Sequence, residues 1–446
     1  MPSPLPPGPS NRELLGKIGQ IQSDPLSFLV DLSKEFGPAA SFRVFSLPVI
    51  VLSSPEGVKH VLQDQYKLYS KNTIQYNALA AITGKGLLTN DGADWLRNRR
   101  LIQPAFSRRH ILALDQIVIP ALDRMLASWE EPARLGQPVD IDREMMQLTL
   151  EVVGKALFSI DLSSEARDLT GAVITALDHI VYRVRNQITP PAFLPTPRNL
   201  RFRAALHKLD KAIYALLAKR QQAGEPGKDL LGMLLAARDE NGSPLSERQI
   251  RDELMTMLVA GHETVASALT WTWLLLAQHP QVYDRFYKEV YQSLSGCPPT
   301  SAALETLPYT GAVFAEALRL YPPAWLITRK AREEDEVCGF RIPRGALVIL
   351  SPYAVHRQPE HWPETERFLP ERFEAPNEPS RYAYIPYGAG PRICIGNSFA
   401  QVEAQLILAG VAQRYRLELA GPPPAVEALV TLRPRGGLSM RLVPVI

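Results

Sequence analysis

Cysteine is scarce in this chain. Three thiols, Cys297, Cys338 and Cys394, stand far apart in 446 residues. They are too few and too scattered for a disulfide framework or a four-cysteine zinc site. Such low use fits a reducing compartment and leaves each thiol to be explained by its own surroundings. A strong charge of either sign is also missing. The 49 Lys and Arg residues against 46 Asp and Glu leave a net charge of +3, spread through the chain. No polyanion-binding surface is implied, and nucleic acid is not an expected partner. No apolar run is long enough to cross a bilayer, since the most apolar stretch, Leu269 to Ala277, is short and belongs to a longer patterned helix. The polar, Pro-rich opening from Met1 to Gln20 lacks the apolar core of a signal peptide. These absences lead to the expectation of a cytoplasmic protein with no transmembrane segment. Repeats and low-complexity linkers are absent too. With 46% hydrophobic residues, the chain can bury a large core. The expectation is one domain over 1–446, β-rich near 37–70 and 322–360 and helical elsewhere.

What is present is mostly helical periodicity. From Ser54 to Tyr287 apolar residues recur at three- and four-residue spacing, interrupted by Thr189 to Pro197, whose four prolines cannot continue a helix. The clearest helix begins at Ser246, where Ser246 and Gln249 make a capping-box pattern, and runs to His279-Pro280. About thirty residues at roughly 1.5 Å each give a rod of about 45 Å. From Pro322 to Ser351 apolar and polar residues alternate around turn signals, as in small antiparallel sheets. A last helix follows Asn397. The fold class expected is mainly α with minor β.

One segment carries chemistry: Tyr387-Gly388-Ala389-Gly390-Pro391-Arg392-Ile393-Cys394-Ile395-Gly396. Glycines flanking a cysteine let the backbone pass close to a flat ligand and take positive φ. A helix starting just after Cys394 aims free N–H groups at the sulfur, which favours the metal-binding thiolate. Arg392 offers a fork of donors suited to a carboxylate. The plainer alternative is a Gly-rich turn with a structural cysteine. A dinucleotide fingerprint does not fit, because Ile393 stands where the third glycine belongs.

This segment resembles the haem-binding loop of the cytochromes P-450, with Tyr387 where that family usually has Phe. Three further motifs follow the family's order. Glu316-Ala317-Leu318-Arg319 matches its E-x-x-R, and Pro370-Glu371-Arg372-Phe373 follows it. The resemblance implies a structural network of Glu316, Arg319 and Arg372 bracing the haem loop. Ala260-Gly261-His262-Glu263-Thr264 lies mid-helix. Gly261 costs about 1 kcal/mol there relative to Ala, so it calls for a reason. The family reading is room beside the haem at Ala260 and Gly261, a hydrogen-bonding Thr264 and a proton-relaying Glu263. The alternative is a helical kink with Thr264 bonded to its own carbonyl ladder and a solvent-facing acid. A zinc-protease reading of His262-Glu263 fails, because Ala266 stands where the second histidine belongs. Trp95 and Arg99 share a helix face at the family's W-x-x-x-R spacing. With Arg392 and Arg329 they are the expected propionate contacts. Arg97 and Arg100 are read as solvated charge, and His356-Arg357 fits a family pattern without a catalytic role.

The resemblance implies a P-450 fold with a long helix over a haem, heme b as cofactor, and Cys394 as axial ligand to the iron. Tyr387, Gly388, Gly396 and Ala260 border that cofactor. It also implies a monooxygenase that uses O2 to insert one oxygen atom into a C–H or C=C bond. The chain ends soon after Cys394, so electrons are expected from a separate ferredoxin or flavodoxin with its reductase. Arg97, Arg100, Arg108 and Arg109 form either a docking face for that carrier or scattered surface charge. Family position places Ile74, Gln75, Tyr76, Leu79, Leu87, Leu88, Trp325, Leu326 and Ile327 at the substrate, or equally in plain core. Their apolar character implies a lipophilic substrate. Ala260 to Trp271, Glu316 to Trp325, Gln75-Tyr76 and Gly86 to Thr89 are similar to the soluble carotene-hydroxylase branch of thermophilic bacteria, implying a carotenoid, terpenoid or fatty acid. A peroxide-driven peroxygenase or haem isomerase commonly lacks the acid–Thr pair. A non-catalytic haem sensor needs neither relay nor electron partner.

Overall fold

The structure is a computed structural model and describes residues 3–162, 166–186, 189–224, 227, 229–238, 242–374 and 380–445. Two compact units emerge, each from two stretches of chain: Met1–Gln75 with Ala315–Asn397, and Tyr76–Phe314 with Ser398–Ile446. Helices dominate and the sheets are small, as the periodicity predicts.

The first unit is organised by a five-stranded sheet ordered Ala39–Val44, Leu47–Leu52, Leu347–Leu350, Ile327–Ala331 and Tyr69–Ser70. The two strands from Ala39 to Leu52 form an antiparallel hairpin, and Leu47–Leu52 pairs parallel with Leu347–Leu350. Val49 to Leu52 are buried without alternation, as expected of a strand covered on both faces. Their core includes Ile50, Leu52, Val58, Val61, Ile327, Val348, Leu350 and Ile385. The helix Pro25–Phe36 starts on an Asp24 cap that accepts from the Ser27 N–H. It buries Leu26, Phe28, Leu29 and Leu32, and Phe28 meets Phe42 of the hairpin edge to face.

The second unit is built on the helix Glu247–Gln278. Both halves of its capping box form, with Ser246 Oγ accepting from Gln249 N and the Gln249 side chain accepting from Ser246 N. Its 32 residues span about 48 Å. Most positions from Ile250 to Leu276 are buried, the half-buried exceptions Ala260, Gly261 and Thr264 sharing one face, so this is a core helix. Its main neighbour is the helix Ile141–Phe158, and the strands Tyr415–Leu419 and Leu432–Pro434 also pack on it. Around the proline-rich break, Asn199 donates to the carbonyls of Pro191 and Leu194, pinning the turn to the helix Pro197–Ala223. No helix among the described residues is long and apolar enough to cross a membrane.

Candidate active site

The expected site residues fall into two groups, one in each unit. In the first, Cys394 closes a loop: its N–H donates to the Tyr387 carbonyl at 2.9 Å, and Ile393 N–H donates to Gly390 O at 3.0 Å. Gly388 and Gly390 sit at φ 71° and 68°. At Gly390 no side chain fits, because a Cβ would lie 1.8 Å from the Leu62 carbonyl oxygen. The loop is therefore pressed backbone to backbone onto the turn after Val61, which leaves the Cys394 side chain exposed. Three residues later the helix Asn397–Ala412 begins.

The other thiols lack this setting. Cys338 is half-buried in a turn at φ 53°, 3.4 Å from Ser54 Oγ, and burial pushes its thiol up, away from the thiolate. Cys297 is exposed beyond the helix Pro280–Leu294. Among the described residues no group of three or more His, Cys, Asp and Glu side chains could hold a metal. A lone thiol at a helix start therefore suits a metal that brings its other ligands with it, as iron in a porphyrin does. Arg392 follows Pro391 in the same loop, and Arg329 lies buried on the strand Ile327–Ala331. Two guanidinium groups in the unit that holds the thiol fit an anionic porphyrin.

Behind the loop lies the charged network. Glu316 and Arg319 are fully buried on the helix Pro308–Leu320 and pair through two bonds of 2.7 and 2.8 Å. Arg372 Nε approaches Glu316 at 3.4 Å, and the Leu369 N–H donates to the same carboxylate. The remaining Arg319 donors reach the carbonyls of His356, Thr365 and Arg367. All five guanidinium N–H groups are thus used. His356 Nε2 accepts from Ile385 N–H at 2.8 Å, so its proton sits on Nδ1 and points at the Arg319 carbonyl. Burial pushes this imidazole down to about 3, keeping it neutral.

Two expected substrate residues in this unit have other work. Both ends of the Gln75 amide are engaged, donating to Leu326 O and accepting from Thr328 Oγ1. Ile327 belongs to the sheet core, and its Cδ1 packs toward Gly388. Ile327 is core, whereas Gln75 is half-buried. Ile74 is exposed, Trp325 is buried and Leu326 half-buried.

In the second unit, Trp95 is buried and Arg99 half-buried on the helix Gly92–Ile102, while Arg97 pairs with Asp94 in solvent. The missing side chain at Gly261 has a reason other than room for a ligand: a Cβ there would meet Val153 Cγ2 at 3.0 Å. It permits the close approach of the helix Ile141–Phe158. Thr264 Oγ1 donates to Ala260 O at 2.8 Å, the back-bonded geometry, and its oxygen retains acceptor capacity. Glu263 is not a solvent-facing acid. It is 4% exposed and accepts from Thr431 Oγ1 at 3.0 Å, with Arg433 Nη1 at 3.9 Å and Asp142 paired to the same arginine. Burial pushes its carboxyl up to about 7 against the pull of Arg433 and Thr431. Its neighbour His262 is also buried and is pushed down to about 4. Tyr76, Leu79 and Leu87 are buried and Leu88 half-buried. Arg433, Thr431 and Asp142 are absent from the sequence-based site, because no local pattern links them to Glu263.

The sequence from 6 to 440 matches the family model described as Cytochrome P450. Among curated proteins the chain is 36% identical to cyclooctatin synthase of Streptomyces melanosporofaciens, covering 98% of this chain and 93% of that one. It is 33% identical to pentalenene oxygenase of Streptomyces avermitilis, covering 91% and 89%. The Arabidopsis thaliana chloroplastic protein LUTEIN DEFICIENT 5 is also 33% identical, over 97% of this chain and 76% of its own. The crystal structure of CYP175A1 from Thermus superposes with a TM-score of 0.80 at 32% identity, covering 98% and 100%.

Proposed function

This chain belongs to the cytochrome P450 family, and we propose that it is a haem-thiolate monooxygenase of lipophilic terpenoid-type substrates with Cys394 on the iron. That it is a cytochrome P450 monooxygenase with haem as cofactor follows from the family and from relatives named as oxygenases. The axial assignment rests on one observation: of the three thiols only Cys394 combines a glycine-closed loop with a helix start just downstream. When bound, a haem with a thiolate ligand supplies reductive activation of O2. The chain positions the cofactor and substrate and moves protons. Trp95, Arg99, Arg329 and Arg392 are the proposed propionate donors, and the exposed Arg108 and Arg109 a docking surface for a ferredoxin-type carrier.

Terpenoid-related names among the relatives support a terpenoid hydrocarbon or a carotenoid as substrate. The test is a titration of the ferric protein with terpenoid hydrocarbons, carotenoids and fatty acids, following the Soret band. A saturable low-spin to high-spin change with terpenoids or carotenoids is expected. A response to fatty acids alone, or to none of the three classes, overturns the substrate reading.

Two residues are proposed to handle protons. Thr264 can turn its hydroxyl from Ala260 O toward the reaction, so T264A should load haem normally yet form severalfold less product per reductant. The lost equivalents should appear as hydrogen peroxide, and unchanged coupling would refute the role. Glu263 must rotate away from Thr431 to deliver a proton. Since its carboxyl gains and loses a proton near 7, protonated donor is depleted as the pH rises above that value. Turnover limited by proton delivery should therefore fall through about 7. E263Q should be at least about a hundredfold slower and lose that step; an unaltered profile counts against the relay.

A further inference from the structure

Asp252 and Glu253, adjacent in the long helix, are only 6% and 3% exposed. Burying two neighbouring acids is costly unless their oxygens are satisfied. Here the satisfaction comes from a loop. Glu253 Oε2 accepts the Leu87 N–H at 2.9 Å, and Asp252 Oδ2 accepts the Lys85 N–H at 2.9 Å. The loop approaches so closely that a Cβ on Gly84, at φ 59°, would lie 2.1 Å from the Asp252 carboxylate. Thr89 Oγ1 donates back to Gly84 O at 2.7 Å and closes the turn. The second oxygen of Glu253 accepts from Asn98 Nδ2 at 2.6 Å. Asn98 stands on the helix that also carries Trp95 and Arg99. One carboxylate thus fastens three elements: the long helix, the loop 84–89 and the helix Gly92–Ile102.

We propose that Glu253, assisted by Asp252, is a positioning residue that fixes the backbone of Leu87 and so sets where Leu87 and Leu88 meet a lipophilic substrate. The proposal rests on the reading of these leucines as substrate-lining. The bond to Leu87 is charge-assisted and buried, so it is strong while Glu253 is ionised. Burial, with a smaller push from Asp252, moves this carboxyl up to about 7. Around it, Arg251 is occupied by Asp252 at 2.9 Å and by Asp210 at 2.8 Å. The Lys85 side chain is exposed, and Arg97 is tied to Asp94. The adjacent helix Leu230–Ala236 contributes no titratable group. When a proton is added, one oxygen becomes a donor and faces an N–H, so the fastening loosens below about 7 and tightens above it.

The test uses haem-loaded wild type, E253Q and D252N, each first required to give the thiolate spectrum with CO. A wild type lacking that spectrum fails the haem-thiolate reading and is distinguished at this step. Amide exchange then reports the fastening, and titration with phenylimidazole, which must enter beside the haem, reports the cavity. Above about 7, E253Q should lose about tenfold in protection of the Leu87 amide, with a smaller loss at Lys85 in D252N. E253Q should also bind phenylimidazole severalfold differently. Wild-type protection of the Leu87 amide, which is bonded to Glu253 itself, should step through about 7, and E253Q should be flat. If E253Q does not load haem, the wild-type step alone decides. A flat wild-type profile, unchanged Leu87 protection, or altered protection with unaltered phenylimidazole affinity each overturns the proposal.

Discussion

The haem-free C394S protein is expected to fold and keep the melting behaviour of the haem-free parent, and with haem added to lose turnover together with the red-shifted CO band. Serine matches cysteine in shape, and the loop is closed by a backbone bond, Cys394 N–H to Tyr387 O, that a side-chain change leaves in place. Without haem, the stability cost should stay within about 0.5 kcal/mol. The chemical change is large. A hydroxyl beside a helix start does not ionise near neutral pH, so the electron-rich ligand that favours O–O cleavage is gone. C297S and C338S serve as controls. Cys338 is held by burial in the thiol form, and Cys297 follows a helix C-terminus through the Gly296 turn, where no helix N-terminus faces the sulfur. Both should keep the parent spectrum and rate. Normal turnover by a folded C394S protein, or loss of the thiolate band in either control, would sink the axial assignment.

Legibility in the sequence varied with the range of the interactions. The long helix was readable from Ser246 and Gln249 because a capping box is local. Glu316 and Arg319 were readable for the same reason, being three residues apart on one helix. The cysteine loop announced itself through its glycines, of which Gly390 has a steric need that local sequence suggests and the Leu62 carbonyl explains. Roles along Ala260 to Thr264 were harder. A helix buried on nearly every side carries no apolar stripe, so its pattern does not say which way each side chain points. Gly261 thus faces Val153, and Glu263 reaches Thr431 and Arg433 on a distant strand. Asp252 and Glu253 were hidden likewise, since their partners are backbone N–H groups, which every residue but proline owns. Family position placed Gln75 and Ile327 beside substrate, but it says nothing of which hydrogen bonds or core contacts already occupy them.

Removing the charge at Glu316 should be the most damaging change to the fold. E316Q keeps the volume but leaves Arg319 fully buried, and Arg372 partly so, without their anion. Breaking one side of a buried pair costs about 3–5 kcal/mol, a large share of a typical total of about 5–15 kcal/mol. Replacing both partners with apolar groups often restores such a loss. Here it should not. Arg319 also serves the carbonyls of His356, Thr365 and Arg367, and a methionine would leave all three unserved. Each orphaned buried carbonyl costs about 1–3 kcal/mol. The double variant E316L/R319M should therefore recover less than half of the E316Q loss. The residues so served lead toward the cysteine loop, with Leu369 N–H on Glu316, Ile385 N–H on His356 and the Tyr384 hydroxyl on Ala315 O. Haem retention should fall in step with stability, read as faster transfer of haem to an acceptor protein. Full recovery in the double variant would show that the pair acts by charge alone. Unchanged haem retention in a destabilised E316Q would show that the network does not brace the loop.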